Sequence, residues 1–157
     1  MGKIKKRAAL KKTVAALKKN GKIIVFTNGC FDIIHPGHVK YLARCKRLGH
    51  VLVVGLNTDS SVRRLKGRNR PVMKQGDRAE ILSALEAVDY VTFFNELTPE
   101  KLIRQVAPHV LAKGGDWKAG DIAGADFVRE SGGRVRTVPF VRGYSTSRII
   151  KKIKTGA

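Results

Sequence analysis

The 157 residues predict an α/β domain built on a doubly wound parallel sheet. Strand-like apolar runs alternate with helical patterns about five times, the runs are continuous rather than alternating, and no repeat or low-complexity linker interrupts them. Residues 4–19 place Ile4, Leu10, Val14 and Leu17 near one helical face and lysines on the other, and Asn20-Gly21 supplies the stop. We read residues 1–21 as a basic N-terminal helical extension and residues 22–157 as a single domain. Ile23, Ile24, Val25 and Phe26 make residues 22–27 a strand buried on both faces. Residues 37–48 look helical and end at Gly49; residues 51–56 form a second buried strand, followed by a helical start at 57–59.

Ile81, Leu82, Leu85 and Val88 recur at helical spacing, which predicts a helix over 77–88. The β-branched and aromatic residues 90–94 read as a strand. Thr98 caps a helix that opens with Pro99 and runs to about Val106. A short strand over 110–112, a helix over 124–131 closed by Gly132-Gly133, a strand over 135–140 and a final helix over 145–154 complete the order. In such sheets ligands gather beyond the carboxyl ends of the strands, so the loops at 27–38, 57–76, 113–123 and 141–147 are the candidates.

Composition narrows the class. The apolar fraction is 43%, with no run long enough to span a membrane and no apolar core of a secretory signal near the start. Two cysteines, Cys30 and Cys45, cannot build a disulfide framework, and a cytoplasmic protein is expected. The formal net charge is +20, and neither residues 1–31 nor residues 131–157 contain an acidic side chain. Such a field attracts polyanions: nucleic acid, anionic lipid or a phosphorylated metabolite. The terminal basic segments lack interleaved aromatics, so nucleic acid is expected to bind non-specifically if at all.

Two common nucleotide signatures are missing: no Gly-x-Gly-x-x-Gly follows the first strand, and no phosphate loop ending in Gly-Lys-Ser/Thr occurs. Residues 27–38 instead read Thr-Asn-Gly-Cys-Phe-Asp-Ile-Ile-His-Pro-Gly-His. This is a strand, a tight glycine turn, and two histidines three apart at a helix start. Gly29 and Gly37 permit close approach of backbone to ligand, and free amides at a helix start favour phosphate. His35 and His38 there can donate hydrogen bonds to charge growing on a phosphoryl group. A structural zinc site is a rival reading of Cys30, His35, His38 and Cys45, although their spacing is not the usual paired-cysteine one.

The stretch resembles the Gly-x-Phe-Asp-x-x-His-x-Gly-His signature of the cytidylyltransferase-like nucleotidyltransferases, which have a Rossmann-like fold with the His-x-Gly-His element after the first strand. Residues 57–67, Arg70-Pro71, residues 85–89, residues 113–117 and Ser145-Thr146 are similar, in order, to one branch: the adenylyltransferase domain of bacterial heptose 1-phosphate adenylyltransferases, often fused to a sugar kinase. The resemblance covers roughly residues 20–154. It implies that His35 and His38 contact the nucleotide phosphates, that Thr27, Asn28, Gly29, Phe31, Asp32 and Gly37 shape the site, and that Arg78 reaches the triphosphate. Asp32 reads equally as a turn cap or as a group orienting the site. Lys66 lies among Arg63, Arg64, Arg68 and Arg70, any of which could close over phosphates. Lys113, Gly115, Asp116 and Trp117 are implied to lie beside base and ribose, with Trp117 either stacking on the base or packing. Ser145 and Thr146 at the last helix start suit a phosphate, though Ser145 also reads as a plain helix cap.

The implied reaction is transfer of AMP from ATP to D-glycero-D-manno-heptose 1-phosphate, with Mg2+ held mainly by nucleotide phosphates and no protein metal site. The resemblance also implies a homodimer, with a separate sugar kinase and phosphatase in the pathway. A cytidylyltransferase acting on glycerol 3-phosphate, and a basic nucleic-acid-binding module, are the alternatives.

Overall fold

The computed structural model describes residues 2–115 and 121–156. Its elements follow the expected order: α1 (Arg7–Lys19), β1 (Ile24–Gly29), α2 (Pro36–Lys46), β2 (Val51–Asn57), α3 (Asp59–Lys66), α4 (Gln75–Ala84), β3 (Tyr90–Phe94), α5 (Glu100–Val106), β4 (Val110–Gly114), α6 (Ala125–Glu130), β5 (Arg134–Val138) and α7 (Thr146–Thr155). The strands form one parallel sheet in the order β3-β2-β1-β4-β5. The chain therefore builds outward from β1 in one direction, then returns to build on its other side. That reversal between β1 and β4 is the topological switch point where doubly wound sheets bind ligands.

Each face of the sheet is covered. On one side α2 and α4 bury Tyr41, Leu42, Cys45, Ala79 and Leu82 against Val25, Leu52 and Val54. On the other, Leu10 and Val14 of α1 join α5 and α6 over Ile24, Phe26, Val53 and Leu111. This two-sided burial is why β1 and β2 read as continuous apolar runs. The switch point also opens physically. β1 pairs with β2 from Ile24–Val51 through Gly29–Leu56, but with β4 only at Val25–Val110 and Phe26–Leu111. Past Phe26 the two strands part, and Lys113 Nζ donates to Asn28 Oδ1 across the gap at 3.2 Å.

Several boundaries differ from the sequence expectation: Pro99, not Thr98, is the N-cap of α5, which begins at Glu100, and three further differences show their physical cause. Residues 3–5 are not helical: Lys5 N donates to Val91 O and Lys3 O accepts from Val91 N, which satisfies the open edge of β3. The helix expected over 77–88 stops at Ala84, where Leu85 turns extended; Leu85 and Val88 still reach the core, through a turn closed by Val88 N donating to Leu85 O. That turn brings the Asp89 carboxylate to the Leu52 amide at 2.7 Å. The last strand ends at Val138 because Pro139 has no N–H to continue the ladder, and Phe140 stands outside it.

Candidate nucleotide-binding site

Beyond the carboxyl ends of the strands lies a cleft of about 960 Å3. Its floor is the loop from β1 to α2. Phe31 and Ile33 flank Asp32 with φ values of 44° and 51°, a left-handed backbone that non-glycine residues seldom adopt. The surroundings hold this strained loop in place. The Asp32 carboxylate accepts from Val72 N at 2.8 Å, Met73 N at 3.0 Å and Arg70 Nε at 2.8 Å. Its backbone carbonyl accepts from Thr146 Oγ1 at 2.7 Å. Burial alone would raise the Asp32 pKa, but the Met73 and Val72 amides and Arg70 outweigh it and hold the carboxyl below its usual range.

His35 occupies the N-cap of α2, with Pro36 as the first helical residue. Its ring stacks on His38, centroids 3.8 Å apart and planes 20° apart. Phe31 meets His38 edge-on at 5.3 Å, and Tyr144 lies nearly parallel to His35 at 6.2 Å. A Cβ at Gly37 would fall 2.9 Å from the His35 ring and from Tyr144 Cβ, so glycine is what lets the stack close. In both imidazoles Nδ1 is buried without a partner. Burial, reinforced by His35, pushes His38 down to about 4, and burial lowers His35 as well. Both rings are neutral near pH 7 in the absence of a ligand.

The walls carry the cations. Lys66, at the end of α3, and Arg70 line the cleft, with Arg70 turned onto Asp32. Lys113 and Arg142 line the opposite side, and burial lowers the Lys113 ammonium. Ser145 caps α7, accepting from Arg148 N at 3.2 Å, and Ser145, Thr146 and Ser147 all border the cleft. Asn28, Gly29, Phe31, Asp32, His35, Gly37 and His38 border it too, so most of the sequence-derived residues converge on one site.

Two do not. Arg78 was expected to reach the triphosphate, but its side chain is 0% exposed. It donates to the carbonyls of Met73 (3.1 Å), Asn57 (2.9 Å) and Cys30 and to Asp59 Oδ1 (2.7 Å). Those bonds fasten the tips of β1 and β2 to α3 and α4; the guanidinium lies beneath the site rather than in it. Thr27 is fully buried, and its hydroxyl shares a 2.7 Å hydrogen bond with the Tyr41 hydroxyl. Gly115 does not border the cleft, although Gly114 does. Asp116 and Trp117 lie outside the described residues.

The zinc pattern does not converge either. Cys45 is buried in the core beside Tyr41, where burial raises its thiol to about 11, and no group of three or more His, Cys, Asp or Glu among the described residues is arranged to hold a metal ion. Sequence reasoning missed the wall formed by Phe94, Leu97, Thr98 and Pro99, and it missed Phe140. The first follows the end of β3, and the carboxyl-end rule applied to that strand would have found it.

A parallel doubly wound sheet, a crevice at its switch point and a stacked histidine pair at a helix start define a protein that binds and transfers phosphorylated groups. Residues 26–152 match the cytidylyltransferase-like family, and the chain belongs to that family of nucleotidyltransferases. It is 53% identical over 155 residues to the bifunctional protein HldE of Geotalea uraniireducens, an alignment covering 99% of this chain and 32% of that protein. Identity to HldE of Geobacter metallireducens is 54% over 151 residues, 96% of this chain and 31% of that one. The chain thus spans about a third of the length of these relatives.

Among solved structures, a lipopolysaccharide core biosynthesis protein of Thermoplasma volcanium superposes with a TM-score of 0.62 at 30% identity, covering 80% of this chain and 100% of that one. Pantoate-beta-alanine ligase of Francisella tularensis, with a TM-score of 0.65 at 13% identity over 96% of this chain and 73% of that one, shares the fold. No helix among the described residues is long and apolar enough to cross a membrane.

Proposed function

We propose that the chain transfers AMP from ATP to D-glycero-D-manno-heptose 1-phosphate in the cytoplasm, giving ADP-heptose and pyrophosphate. One observation carries the reading: nearly the whole chain aligns, at about half identity, with one segment of bifunctional HldE relatives, and that alignment encloses the nucleotidyltransferase family match. Of two joined activities, the segment with this fold would perform the nucleotidyl transfer.

The geometry supports a direct in-line displacement. A phosphate oxygen of the sugar attacks the α-phosphorus of ATP, the bond from that phosphorus to the bridging oxygen of the β-phosphate breaks, and pyrophosphate leaves with the electron pair. The attacking oxygen is already anionic, so no general base is required, in keeping with histidines whose pKa values are depressed. Nδ1 of each ring is buried without a partner; with the proton on Nε2, each ring would meet the phosphates as a neutral donor. Lys66, Lys113 and Arg142 offset charge along the polyphosphate, and the free amides at the start of α7 add a second anion-binding end.

Mg2+ fits this site as an ion carried by the nucleotide. Of the described carboxylates bordering the cleft, Asp32 is committed to Arg70 and two amides, which leaves Asp121 and the phosphates themselves as oxygen donors. The ion would shield phosphate charge during attack. A homodimer belongs to the same reading.

Pyrophosphate release measured for ATP and CTP, each with heptose 1-phosphate and glycerol 3-phosphate, tests the assignment. ATP with heptose 1-phosphate is expected to lead CTP by at least ~10-fold in kcat/KM, because a site built for one base edge leaves polar groups unpaired against the other. A CTP and glycerol 3-phosphate optimum would overturn it.

A further inference from the structure

Phe140 is 70% exposed, an uncommon state for a phenylalanine lining a ligand cleft. Of the other described aromatics bordering the cleft, Phe31, Tyr41 and Phe94 are buried, and Tyr144, less exposed than Phe140, lies nearly parallel to His35 at 6.2 Å on the histidine side. Phe140 is not loosely placed. A Cβ on Gly114 would lie 2.7 Å from its ring, and one on Gly115 would lie 2.5 Å from it. The ring thus rests directly on backbone, in space that any side chain at 114 or 115 would fill.

Gly114 is also hemmed in by Tyr41, whose ring would stand 3.2 Å from a Cβ there. The segment beneath is tied down at two points, and its backbone is relaxed. Gly115 N donates to Val138 O at 3.0 Å, Arg44 Nη1 donates to Pro139 O at 3.0 Å, and Gly115 holds a φ of 94° that glycine adopts without strain. The result is a fixed aromatic shelf with one covered side and one open side.

Position selects its ligand. The shelf sits over the tips of β4 and β5, whereas the histidines rise from β1 and the strands part between them. A nucleotide whose phosphates meet His35, His38 and the start of α7 has a flat, apolar-faced base to place elsewhere in the cleft. An open aromatic face suits a stacked nucleobase, since every base presents a π-face. We infer that Phe140, supported on Gly114 and Gly115, is the stacking platform for the base of the bound nucleotide. The inference rests on the nucleotidyl-transfer reading given above and assigns the part of the cleft that holds the base.

Calorimetric binding of ATP, CTP and inorganic tripolyphosphate to the wild-type chain and to Phe140→Ala and Phe140→Tyr tests it, with thermal melts confirming that the variants fold. Loss of one base–aromatic stack is expected to weaken ATP binding by ~10-fold or more in Phe140→Ala. Phe140→Tyr should bind like wild type, and tripolyphosphate should bind all three proteins alike. Unchanged ATP affinity in Phe140→Ala overturns the platform, as does equal weakening of ATP and tripolyphosphate, which would mark a structural role. A raised acceptor-sugar KM at unchanged ATP affinity also overturns it, by giving the shelf to the sugar. If the wild type prefers CTP, the ATP assignment fails separately, and loss of CTP affinity in Phe140→Ala still supports the platform.

Discussion

Replacing Arg78 with methionine keeps much of the aliphatic stem and removes only the guanidinium. Four hydrogen bonds disappear, three of them to the carbonyls of Cys30, Asn57 and Met73 and one to Asp59. Hydrogen bonds to a charged donor contribute ~1.5–3 kcal/mol each, but they share one group and do not add. Asp59 keeps some contact with water, its side chain being 23% exposed, so its orphaned carboxylate falls at the low end. Breaking a buried ion pair by removing one partner typically costs ~3–5 kcal/mol, and that is the expected loss here.

Against a usual domain stability of ~5–15 kcal/mol, the variant should fold but melt well below the wild type. Urea unfolding gives the loss directly, and pyrophosphate release normalised to the folded fraction gives the catalytic effect. The geometry demands a large stability loss with a much smaller effect on turnover than loss of either histidine. Stability within ~1 kcal/mol of wild type, together with a ~10²-fold fall in kcat, would show that the guanidinium meets the substrate and refute the buried placement.

The remaining expectations concern the histidines. His35→Ala and His38→Ala should each fold yet lose ~10²-fold in kcat at saturating substrate, the scale for one transition-state donor, and unchanged turnover in both would remove them from the mechanism. Gly37→Ala places a methyl group 2.9 Å from the His35 ring and Tyr144, so kcat should drop while far-UV circular dichroism stays as in wild type; retained activity would show that the stack is dispensable. Stability should also fall on acidification. His35, His38 and His109 have folded pKa values below the unfolded ~6.5, so the unfolded chain binds more protons, and stability present above ~6.5 is lost as pH drops towards about 4, the value for His38. In His109 the added proton would also displace the Ile24 amide from Nδ1, now 3.0 Å away. Urea midpoints at pH 7.5 and 5.0 measure this; a flat profile would contradict it.

The alternation of elements was legible because each is announced locally: Ile24, Val25 and Phe26 by their run, and Ser145 by its capping chemistry. The site was legible for a related reason, since one short stretch carries both histidines, Asp32 and the two glycines. What local pattern could not show was a partner distant in sequence. Arg78 lies near the start of a helix, where the resemblance implies a group reaching the triphosphate; only the meeting of Cys30, Asn57 and Asp59 around it makes it internal. The early end of α4 has the same origin, because helical spacing at Leu85 and Val88 is equally met by a turn that delivers Asp89 to Leu52. Phe140 read as a strand residue for its hydrophobicity, and Pro139 was the overlooked signal that the strand had ended.

The length of the motif between Gly29 and His38 follows from how many distant groups it must meet at once. Gly29 leaves room for the Phe31 ring, which would stand 3.0 Å from a Cβ there, and Phe31 in turn meets the edge of His38. Asp32 reaches the segment at 70–73 through its carboxylate and the last helix through its carbonyl. That second bond matters because α7 has no buried residue of its own, so its attachment relies on its first turn. The Lys66–Arg70 wall and the start of α7 therefore share one anchor, set between two strained residues directly below the histidines. A displacement of Asp32 moves both walls together. Positioning in this cleft is thus a property of the loop as a unit, and the histidine stack is its most exposed part.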